Sequence, residues 1–481
     1  MQFLEFHWCI LQVIIPLFGA LFVTLLGGYR YSRLLSIFLT FFCLAINIYG
    51  FSIISSEVRY NLGGFAAPIG IEYRLDALNQ TIICFVSAVL LFVLSMKNYI
   101  RQQFEENIEK SQISFFYALM MLAYTGICGI LSTNDLFNLY VFLEIFTLSS
   151  YALISQGADK RAFASALEYL ILGTIGASFI LIGIGMVFSQ TGSLNIDDVH
   201  LRLSGLYKSR ILWLGLAFFI TGALLKIALM PLHIWMIRAY SFASPLVLTF
   251  LAGVSSLVGL YILLRFIYFV ADADFLYDHY FGEIIKYLSV SAIVLGSYLA
   301  YKSESFRSTI LYSATAQIGY ACLMLIDISS EMVATSLLCM ISDSITKISL
   351  FTASSGILGA KDVGANVPKK RNIFLFFIFL VLLSNAAMPF TLGFTCKINI
   401  LSELLTLNEY TVFFLVIITS IISFEYNYKI FKALFVLDRD FSLEDIIYVA
   451  IPAVASFVIM FYSGKIIEFF SNFFMNVASY G

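Results

Sequence analysis

Four ionisable side chains lie inside long apolar runs of the sequence. They are Glu144 in LFNLYVFLEIFTLSSYALIS, Lys226 in ILWLGLAFFITGALLKIALM, Lys347 in LLCMISDSITKISLFTASSGIL and Lys397 in AAMPFTLGFTCKINILSELL. A charge at the centre of a bilayer costs about 2.5–3.5 kcal/mol on insertion scales, so it is kept where a partner, water or a function holds it. Carboxylates and amines bind and release protons. The four residues therefore predict a path for protons or other ions.

The composition predicts the setting that must position these groups. Hydrophobic residues make up 60% of the chain and charged residues 12%, with a mean hydropathy of +0.93, whereas soluble domains are about 25% charged. Apolar runs long enough to cross a bilayer recur throughout the 481 residues, and helices satisfy their own backbone hydrogen bonds in lipid. We expect an all-α polytopic membrane protein with about fourteen transmembrane helices.

Other kinds of chemistry find no support in the sequence. The seven cysteines are scattered without a CxxC motif, and the four histidines do not pair at metal-ligand spacing. We expect no metal, no cofactor and no catalytic chemistry in this chain. A net charge of −2 gives no reason to expect a nucleic-acid partner. Asp76 and Asp135 each precede an apolar run, where a carboxylate caps the first helical turn.

Prolines and a glycine interrupt two of the predicted spans. Pro231 follows Lys226 in the span 211–235, and Pro389 and Gly393 precede Lys397 in the span 373–397. Proline removes a helical hydrogen bond and clashes with the preceding turn, so both helices should be broken at membrane depth. Broken helices at corresponding places in two halves indicate inverted-topology repeats.

We therefore predict two repeats of five helices, with helices 7 and 12 broken. The expected division is a group of three helices at 1–110, a first half-channel with helices 4–8 at 111–272, a second with helices 9–13 at 273–436, and a last helix at 437–481. Lysine and arginine are more frequent in the loops on the side away from the N-terminus, so both termini should lie outside.

Several motifs resemble, in order, those of the antiporter-like subunits of respiratory complex I (NADH–quinone oxidoreductase) and of the D-type subunit in Mrp-type cation/proton antiporters. The motifs are RLDALN (74–79), LYVFLEIFTLSSYALI (139–154), LLKIALMPLHIW (224–235), ASPLVLTFLAGVSSLVGLYILLRF (243–266), LYSATAQIGY (311–320), KISLFTASSGIL (347–358) and MPFTLGFTCK (388–397). The resemblance implies that Glu144 and Lys226 form the ion pair of one half-channel. It also implies that Lys397 serves the other half, and that Lys347 bridges the two along a hydrated axis.

The chain departs from this pattern at several places. Leu257 stands where the family usually has a lysine or histidine, so the path is either interrupted there or bridged by Ser255, Ser256 and water. Asp343 stands where a histidine is frequent, and a salt bridge to Lys347 at i, i+4 could hold that lysine away from conduction. The remaining departures are Glu168 in place of a lysine, and Arg238 and Tyr240 in the loop after span seven, at positions that are often Asp and His.

Each candidate also has a purely structural interpretation. Glu144 with Lys226, and Asp343 with Lys347, could be structural ion pairs, and Lys397 could extend its amine to the membrane interface. Glu168 could be an interfacial carboxylate. His233 could be a packing residue that follows Pro231 rather than a proton relay.

The favoured function is a membrane subunit of a multisubunit Na⁺(K⁺)/H⁺ antiporter, which moves protons along buried Glu, Lys and water. The alternatives are a proton-translocating subunit of NADH–quinone oxidoreductase or a related hydrogenase, and a structural scaffold of such a complex. The expected partners are other membrane subunits of the complex, the lipid bilayer, H⁺ and Na⁺ or K⁺. The expected location is a bacterial inner (cell) membrane.

Overall fold

The fold is almost entirely helical. The computed structural model describes residues 2–54, 57–96, 112–157, 159–203, 205–271, 273–277, 280–327, 329–359, 368–436 and 441–478. The predicted segment boundaries at 110/111, 272/273 and 436/437 each involve residues outside these ranges, so the division into four segments stays a prediction.

The first part of the chain forms helices separated by one small hairpin. The helices are α1 (Gln2–Leu26), α2 (Gly28–Ile53), α3 (Ala77–Ser95), α4 (Ile113–Ser132), α5 (Leu136–Ser155), α6 (Arg161–Thr191), α7 (Ile196–Leu203) and α8 (Arg210–Ile227). The strands β1 (Glu57–Asn61) and β2 (Glu72–Asp76) lie between α2 and α3.

The second part contains further helices in the described ranges. They are α9 (Ile234–Phe242), α10 (Pro245–Phe269), α11 (Ala273–Tyr277), α12 (Phe281–Lys302), α13 (Phe306–Leu323), α14 (Ser330–Gly359), α15 (Pro368–Asn385), α16 (Leu392–Thr406), α17 (Tyr410–Val436) and α18 (Leu443–Ala478).

The predicted polytopic membrane architecture is confirmed. Thirteen helices in the described part of the chain are long and apolar enough to cross a membrane, and a shorter apolar helix covers Arg371–Asn385. A helix that is apolar on all sides belongs in a protein interior or in lipid. α10 is such a helix, and its most apolar stretch of 18 residues is fully buried. In α2, α17 and α18 only a third of the corresponding stretch is buried.

The β-hairpin is a feature that the sequence analysis did not predict. β1 pairs antiparallel with β2, with Glu57 opposite Asp76 and Asn61 opposite Glu72. Its strands carry alternating charges, and Arg74 contacts Glu57 across the hairpin at 2.7 Å. These short charged strands lie in a part of the sequence that is too polar to be a membrane span.

Both predicted aspartate caps are confirmed. The side chain of Asp76 accepts a hydrogen bond from the Asn79 backbone N–H at 3.0 Å, and the Asn79 side chain accepts one from the Asp76 N–H at 2.9 Å. Asp135 accepts from the Asn138 N–H at 2.7 Å. The two carboxylates thus satisfy N–H groups that have no partner within the first turn of α3 and α5.

The described residues form two compact units. The first contains Met1–Lys226, Phe242–Ser244 and Val258–Ala273, and the second contains Ile227–Ser241, Pro245–Leu257 and Asp274–Gly481. The first unit therefore holds α1 to α7, most of α8 and the C-terminal half of α10. The second holds most of α9, the N-terminal half of α10 and the helices from α12 to α18.

Span seven is broken at Pro231, as predicted. α8 ends at Ile227 and α9 begins at Ile234. Ala228, directly after α8, has a φ of 67°, in the left-handed region that stops a helix. A turn closed by the Leu232 N–H and the Leu229 carbonyl, at 2.7 Å, then carries the chain past the proline.

Span twelve is broken as well, between Asn385 and Leu392. The Met388 N–H donates to the Leu383 carbonyl at 2.9 Å and the Ala387 N–H to the Ser384 carbonyl at 3.0 Å. With Ala387 at a φ of 57°, this pattern is a Schellman motif, in which glycine is the usual residue. Pro389 lies within the break.

Gly393 has a different role from the one predicted. It lies in the first turn of α16 rather than in the break. A Cβ atom added at Gly393 would lie 2.0 Å from the Ser384 carbonyl oxygen, so only glycine allows the end of α15 to approach α16 this closely.

Candidate ion-translocation sites

A small polar cavity lies in the second unit beside the break between α15 and α16. Its lining includes Gln317 and Tyr320 of α13, Asp343 of α14, Asn385 of α15 and Lys397 of α16. Its water-accessible volume is about 10 Å³, which is roughly the space that one water molecule needs. Two of the predicted site residues, Asp343 and Lys397, therefore meet at one polar position inside an apolar helix bundle.

Lys397 is buried in this cavity and does not reach the interface. The residue is 6% exposed, so the alternative that it extends its amine to the membrane surface is wrong. Its Nζ lies 4.6 Å from the centroid of the Tyr320 ring and 3.5 Å from the Ser423 Oγ. Within the described ranges, no carboxylate oxygen lies within 4.0 Å of this amine.

Asp343 and Lys347 form the predicted contact on α14. The Lys347 Nζ lies 2.5 Å from the Asp343 Oδ2. The side chains are 4% and 3% exposed. The four-residue spacing places both on one helix face, as expected for i, i+4 partners.

A chain of hydrogen-bonded amide side chains adjoins the cavity, and it was not predicted from the sequence. The Gln317 Nε2 donates to the Asn385 Oδ1 at 3.2 Å, the Asn385 Nδ2 donates to the Asn427 Oδ1 at 3.0 Å, and the Asn427 Nδ2 donates to the Ser423 carbonyl at 2.7 Å. Each amide interrupts an apolar run, and that interruption was the available signal. These hydrogen-bonded amides hold the polar side of the cavity in place near Lys397 and Ser423.

Glu144 and Lys226 both lie in the first unit. Each residue is half-buried, and the Lys226 Nζ itself is buried with no hydrogen-bond partner in the described part of the chain. Glu144 interacts with Lys226 electrostatically. Their nitrogen and oxygen atoms are not within the 4.0 Å of an ion pair, since no such contact occurs among the described residues. The structure thus shows the two groups as neighbours that are not in direct contact.

Two of the secondary candidates lie in different environments. Glu168 is on the exposed face of α6, as expected for the interfacial carboxylate of the alternative interpretation. His233 lies in the break between α8 and α9 and is 8% exposed, and its Nδ1 has no hydrogen-bond partner in the described ranges.

The α10 position that departs from the family pattern is buried. Leu257 is 1% exposed, and Ser255 and Ser256 are 6% and 4% exposed. The Ser255 Oγ forms a hydrogen bond of 2.9 Å with the Tyr240 hydroxyl. Tyr240, which was expected in a loop, lies in α9 together with Arg238. The Tyr240–Ser255 contact depends on tertiary packing, and nothing in the sequence pattern indicated it.

Comparisons with known proteins show the family and the fold. The model of a family described as NADH:quinone oxidoreductase/Mrp antiporter, TM, matches residues 133–423. NADH-quinone oxidoreductase subunit N of Desulforudis audaxviator (strain MP104C) is 32% identical over 439 residues, which cover 89% of this chain and 86% of the relative. Putative antiporter subunit mnhD2 of Staphylococcus haemolyticus (strain JCSC1435) is 25% identical and covers 79% of this chain and 74% of the relative.

Solved structures share the fold over nearly the whole chain. A chain of the Mrp complex from Dietzia sp. DQ12-45-1b has a TM-score of 0.87 at 19% identity, covering 98% of this chain and 97% of that one. A chain of the membrane-bound sulfane sulfur reductase, an archaeal respiratory membrane complex, has a TM-score of 0.85 at 21% identity, covering 98% of each. A chain of respiratory complex I from Thermus thermophilus has a TM-score of 0.74 at 19% identity, covering 95% and 98%.

Proposed function

The chain belongs to the NADH:quinone oxidoreductase/Mrp antiporter family, and on this premise we propose that it moves protons as a membrane subunit of a multisubunit Na⁺(K⁺)/H⁺ antiporter. The observation that carries the proposal is Lys397, an amine buried beside a helix break without a carboxylate within 4.0 Å among the described residues. An unpaired charge in such a place is costly, so it marks a functional site rather than a structural contact.

In the first unit the proposed working pair is Glu144 and Lys226. A carboxylate that approaches a buried amine favours the protonated form, and its withdrawal favours release of the proton. Because the two groups interact electrostatically without direct contact, we propose that movement of Glu144 toward or away from Lys226 makes or breaks the pair. Lys226 lies one residue before the end of α8, next to the break.

In the second unit Lys397 and Lys347 are the proposed proton carriers. Lys397 lies in the first turns of α16, after the second break, and the cavity beside it has room for about one water molecule. Water and hydroxyl groups pass protons between side chains that are too far apart for direct transfer. We propose Asp343, Ser255, Ser256 and His233 as secondary groups and assign Glu168 no part in the path, because it is exposed.

A second candidate function is a proton-translocating subunit of NADH–quinone oxidoreductase. It is favoured by the relative of 32% identity, which is named as subunit N of that enzyme. Both functions use the same buried residues. They differ in what drives proton movement, a cation gradient in one case and quinone reduction by partner subunits in the other.

The partners follow from the proposal. Structural relatives are chains of multisubunit membrane complexes, and we propose that this chain assembles with other membrane subunits in a bacterial cell membrane, with both termini outside. The transported ions are H⁺ and Na⁺ or K⁺. Labelling of single cysteines placed at the two termini of a cysteine-free variant, by a reagent that does not cross the membrane, tests the orientation.

The test of function is proton movement by the complete complex in liposomes. Lys397→Ala, Lys226→Ala and Glu144→Ala should each lose most proton movement while the complex still assembles. A Na⁺ or K⁺ gradient should drive proton movement in the wild-type complex if it is an antiporter, and quinone reduction should do so in the second case. Wild-type proton movement in all three variants would contradict both functions.

A further inference from the structure

Asp343, Lys347 and Lys397 form a buried group in which one carboxylate is available to two amines. We propose that Asp343 is a mobile counter-charge that pairs with whichever of Lys347 and Lys397 carries the proton. This inference rests on the proposed function, and it assigns Asp343 a positioning role in place of a fixed structural pair with Lys347. It concerns residues of the second unit only.

The positions along α14 place Asp343 between the two lysines. Cys339, Asp343 and Lys347 follow one another at four-residue spacing, so they share a helix face with about 6 Å between successive Cα atoms along the axis. The Lys347 Nζ contacts Asp343 from one side. Cys339, one turn to the other side, interacts electrostatically with both Asp343 and Lys397. Lys397 of α16 therefore reaches α14 on the side of Asp343 opposite to Lys347.

The cavity connects Asp343 to Lys397. Both residues line it, together with the hydroxyl-bearing residues Ser342 and Thr346. Its water-accessible volume of about 10 Å³ admits roughly one water molecule. A water that bridges the Asp343 carboxylate and the Lys397 amine contributes nearly as much as a direct hydrogen bond. Asp343 thus has one partner in contact and shares a cavity with a second.

The charge count allows one ammonium at a time beside this carboxylate. The three residues are 3–6% exposed, and a buried charge without a partner costs several kcal/mol. One carboxylate neutralises one ammonium. The group is therefore most stable when one of the two lysines is protonated and the other is neutral. The Tyr320 ring and the Ser423 hydroxyl also lie beside Lys397, and neither supplies a negative charge.

The remaining titratable groups around Asp343 come from the helices packed on it. Cys339 is on α14 itself, Cys396 is on α16 and Tyr320 is on α13, and all three line the cavity. Tyr426 of α17 interacts electrostatically with Asp343. Among the described lining residues, Asp343 is the carboxylate, so it is the group that can follow a moving proton as a counter-charge.

The proposed step balances as a single proton transfer. An N–H bond of the Lys347 ammonium breaks and its proton passes to the Asp343 carboxylate that it contacts. The Asp343 carboxyl group then gives a proton to the water, and the water gives one of its own protons to the neutral Lys397 amine, so the carboxylate is restored and a new N–H bond forms on Lys397. No electrons are transferred. The Asp343 side chain turns from Lys347 toward the cavity as the charge moves, and the reverse transfer returns it.

The experiment compares single and double variants of the complete complex, reconstituted in liposomes, by initial rates of proton movement between about pH 6 and pH 9. Lys347→Gln removes the contacting partner, and Asp343→Asn is then added to it. If Asp343 also serves Lys397, the second change slows the remaining proton movement by at least about tenfold and shifts its pH profile. Asp343→Glu should restore most of the rate. Ser344→Ala, on the same helix with its hydroxyl bonded to the Met340 carbonyl, is the matched control and should leave the rate unchanged.

Two results would overturn the proposal. The first is an Asp343→Asn/Lys347→Gln complex with the same rate and pH profile as Lys347→Gln alone. The second is a Lys347→Gln complex that fails to assemble and is rescued by Asp343→Asn, because Asp343 would then have no second partner. Either result leaves the proposed function intact if Lys397→Ala still loses proton movement. Wild-type movement in Lys397→Ala, Lys226→Ala and Glu144→Ala contradicts the function itself.

Discussion

Asp76 and Arg265 form an ion pair deep inside the first unit. The Arg265 Nη1 lies 2.7 Å from the Asp76 Oδ2, and each side chain is 2% exposed. Arg265 also lies over the Phe269 ring, 3.9 Å from its centroid. Asp76 uses its other carboxylate oxygen to cap α3. One carboxylate therefore joins the start of α3 to the last turns of α10, at residues that the sequence analysis did not connect.

Replacing Asp76 by asparagine should strongly destabilise the first unit. Asparagine is as good a helix cap as aspartate, so this change isolates the ion pair. It leaves the Arg265 guanidinium buried without a counter-charge, which typically costs about 3–5 kcal/mol. Thermal unfolding of the purified protein in detergent measures the loss. An unfolding midpoint equal to that of the wild type would show that Arg265 finds another partner.

The matched control for that change is an exposed ion pair. Arg161 and Asp159 lie 2.7 Å apart with side chains 71% and 38% exposed, and exposed pairs contribute little. Hydrogen bonds from Arg161 hold the pKa of the Asp159 carboxyl below its usual value. Any stabilisation is therefore present at neutral pH and is lost as the pH falls through that lowered pKa. Asp159→Asn should leave the unfolding midpoint at neutral pH unchanged.

Ala387→Gly should stabilise the protein. Ala387 has a φ of 57° in the Schellman motif after α15, and a left-handed conformation costs a residue with a Cβ atom about 1–2 kcal/mol. Part of that gain is offset by the greater freedom of glycine in the unfolded chain, so a net gain of roughly 0.5–1 kcal/mol is expected. Thermal unfolding provides the measurement. Ala321→Gly, inside α13, is the control and should lose about 1 kcal/mol. A similar loss at both positions would show that Ala387 is not strained.

Tyr240 and Ser255 should be energetically coupled. Their hydroxyl groups are hydrogen-bonded at 2.9 Å, and both residues are buried. Tyr240→Phe and Ser255→Ala each leave one hydroxyl without this partner, whereas the double variant removes both. A double-mutant cycle on unfolding free energies should give a coupling of about 0.5–1.5 kcal/mol. Additive effects would mean that the contact does not contribute to stability.

Leu257→Lys distinguishes a dry core from a hydrated path. Leu257 is 1% exposed and lies in the fully buried apolar stretch of α10. A lysine placed there without a partner should cost several kcal/mol and impair assembly. Leu257→Met, which conserves volume, should cost less than about 1.5 kcal/mol. The amount of assembled complex and its proton flux are the two measurements. Normal assembly with increased or rerouted proton movement would instead support a hydrated path at this position.

The sequence by itself determined the membrane setting, the helical architecture and the two breaks. Apolar runs of sufficient length have few structural solutions in lipid, and Pro231 and Pro389 each remove a helical hydrogen bond within a span. The caps at Asp76 and Asp135 were also predictable, because a capping carboxylate acts within three residues of itself. The motifs around Glu144, Lys226 and Lys397 indicated the family, which the comparisons confirm.

Only the tertiary structure decided which of these residues meet. Arg265 lies 189 positions from Asp76, and the amides of Gln317, Asn385 and Asn427 come from three different helices. Helix periodicity shows which face a residue occupies, but it carries no information about which distant helix packs on that face. For the same reason, the sequence showed Asp343 next to Lys347 on one helix. The cavity that Asp343 shares with Lys397 exists only once α14 and α16 have packed together.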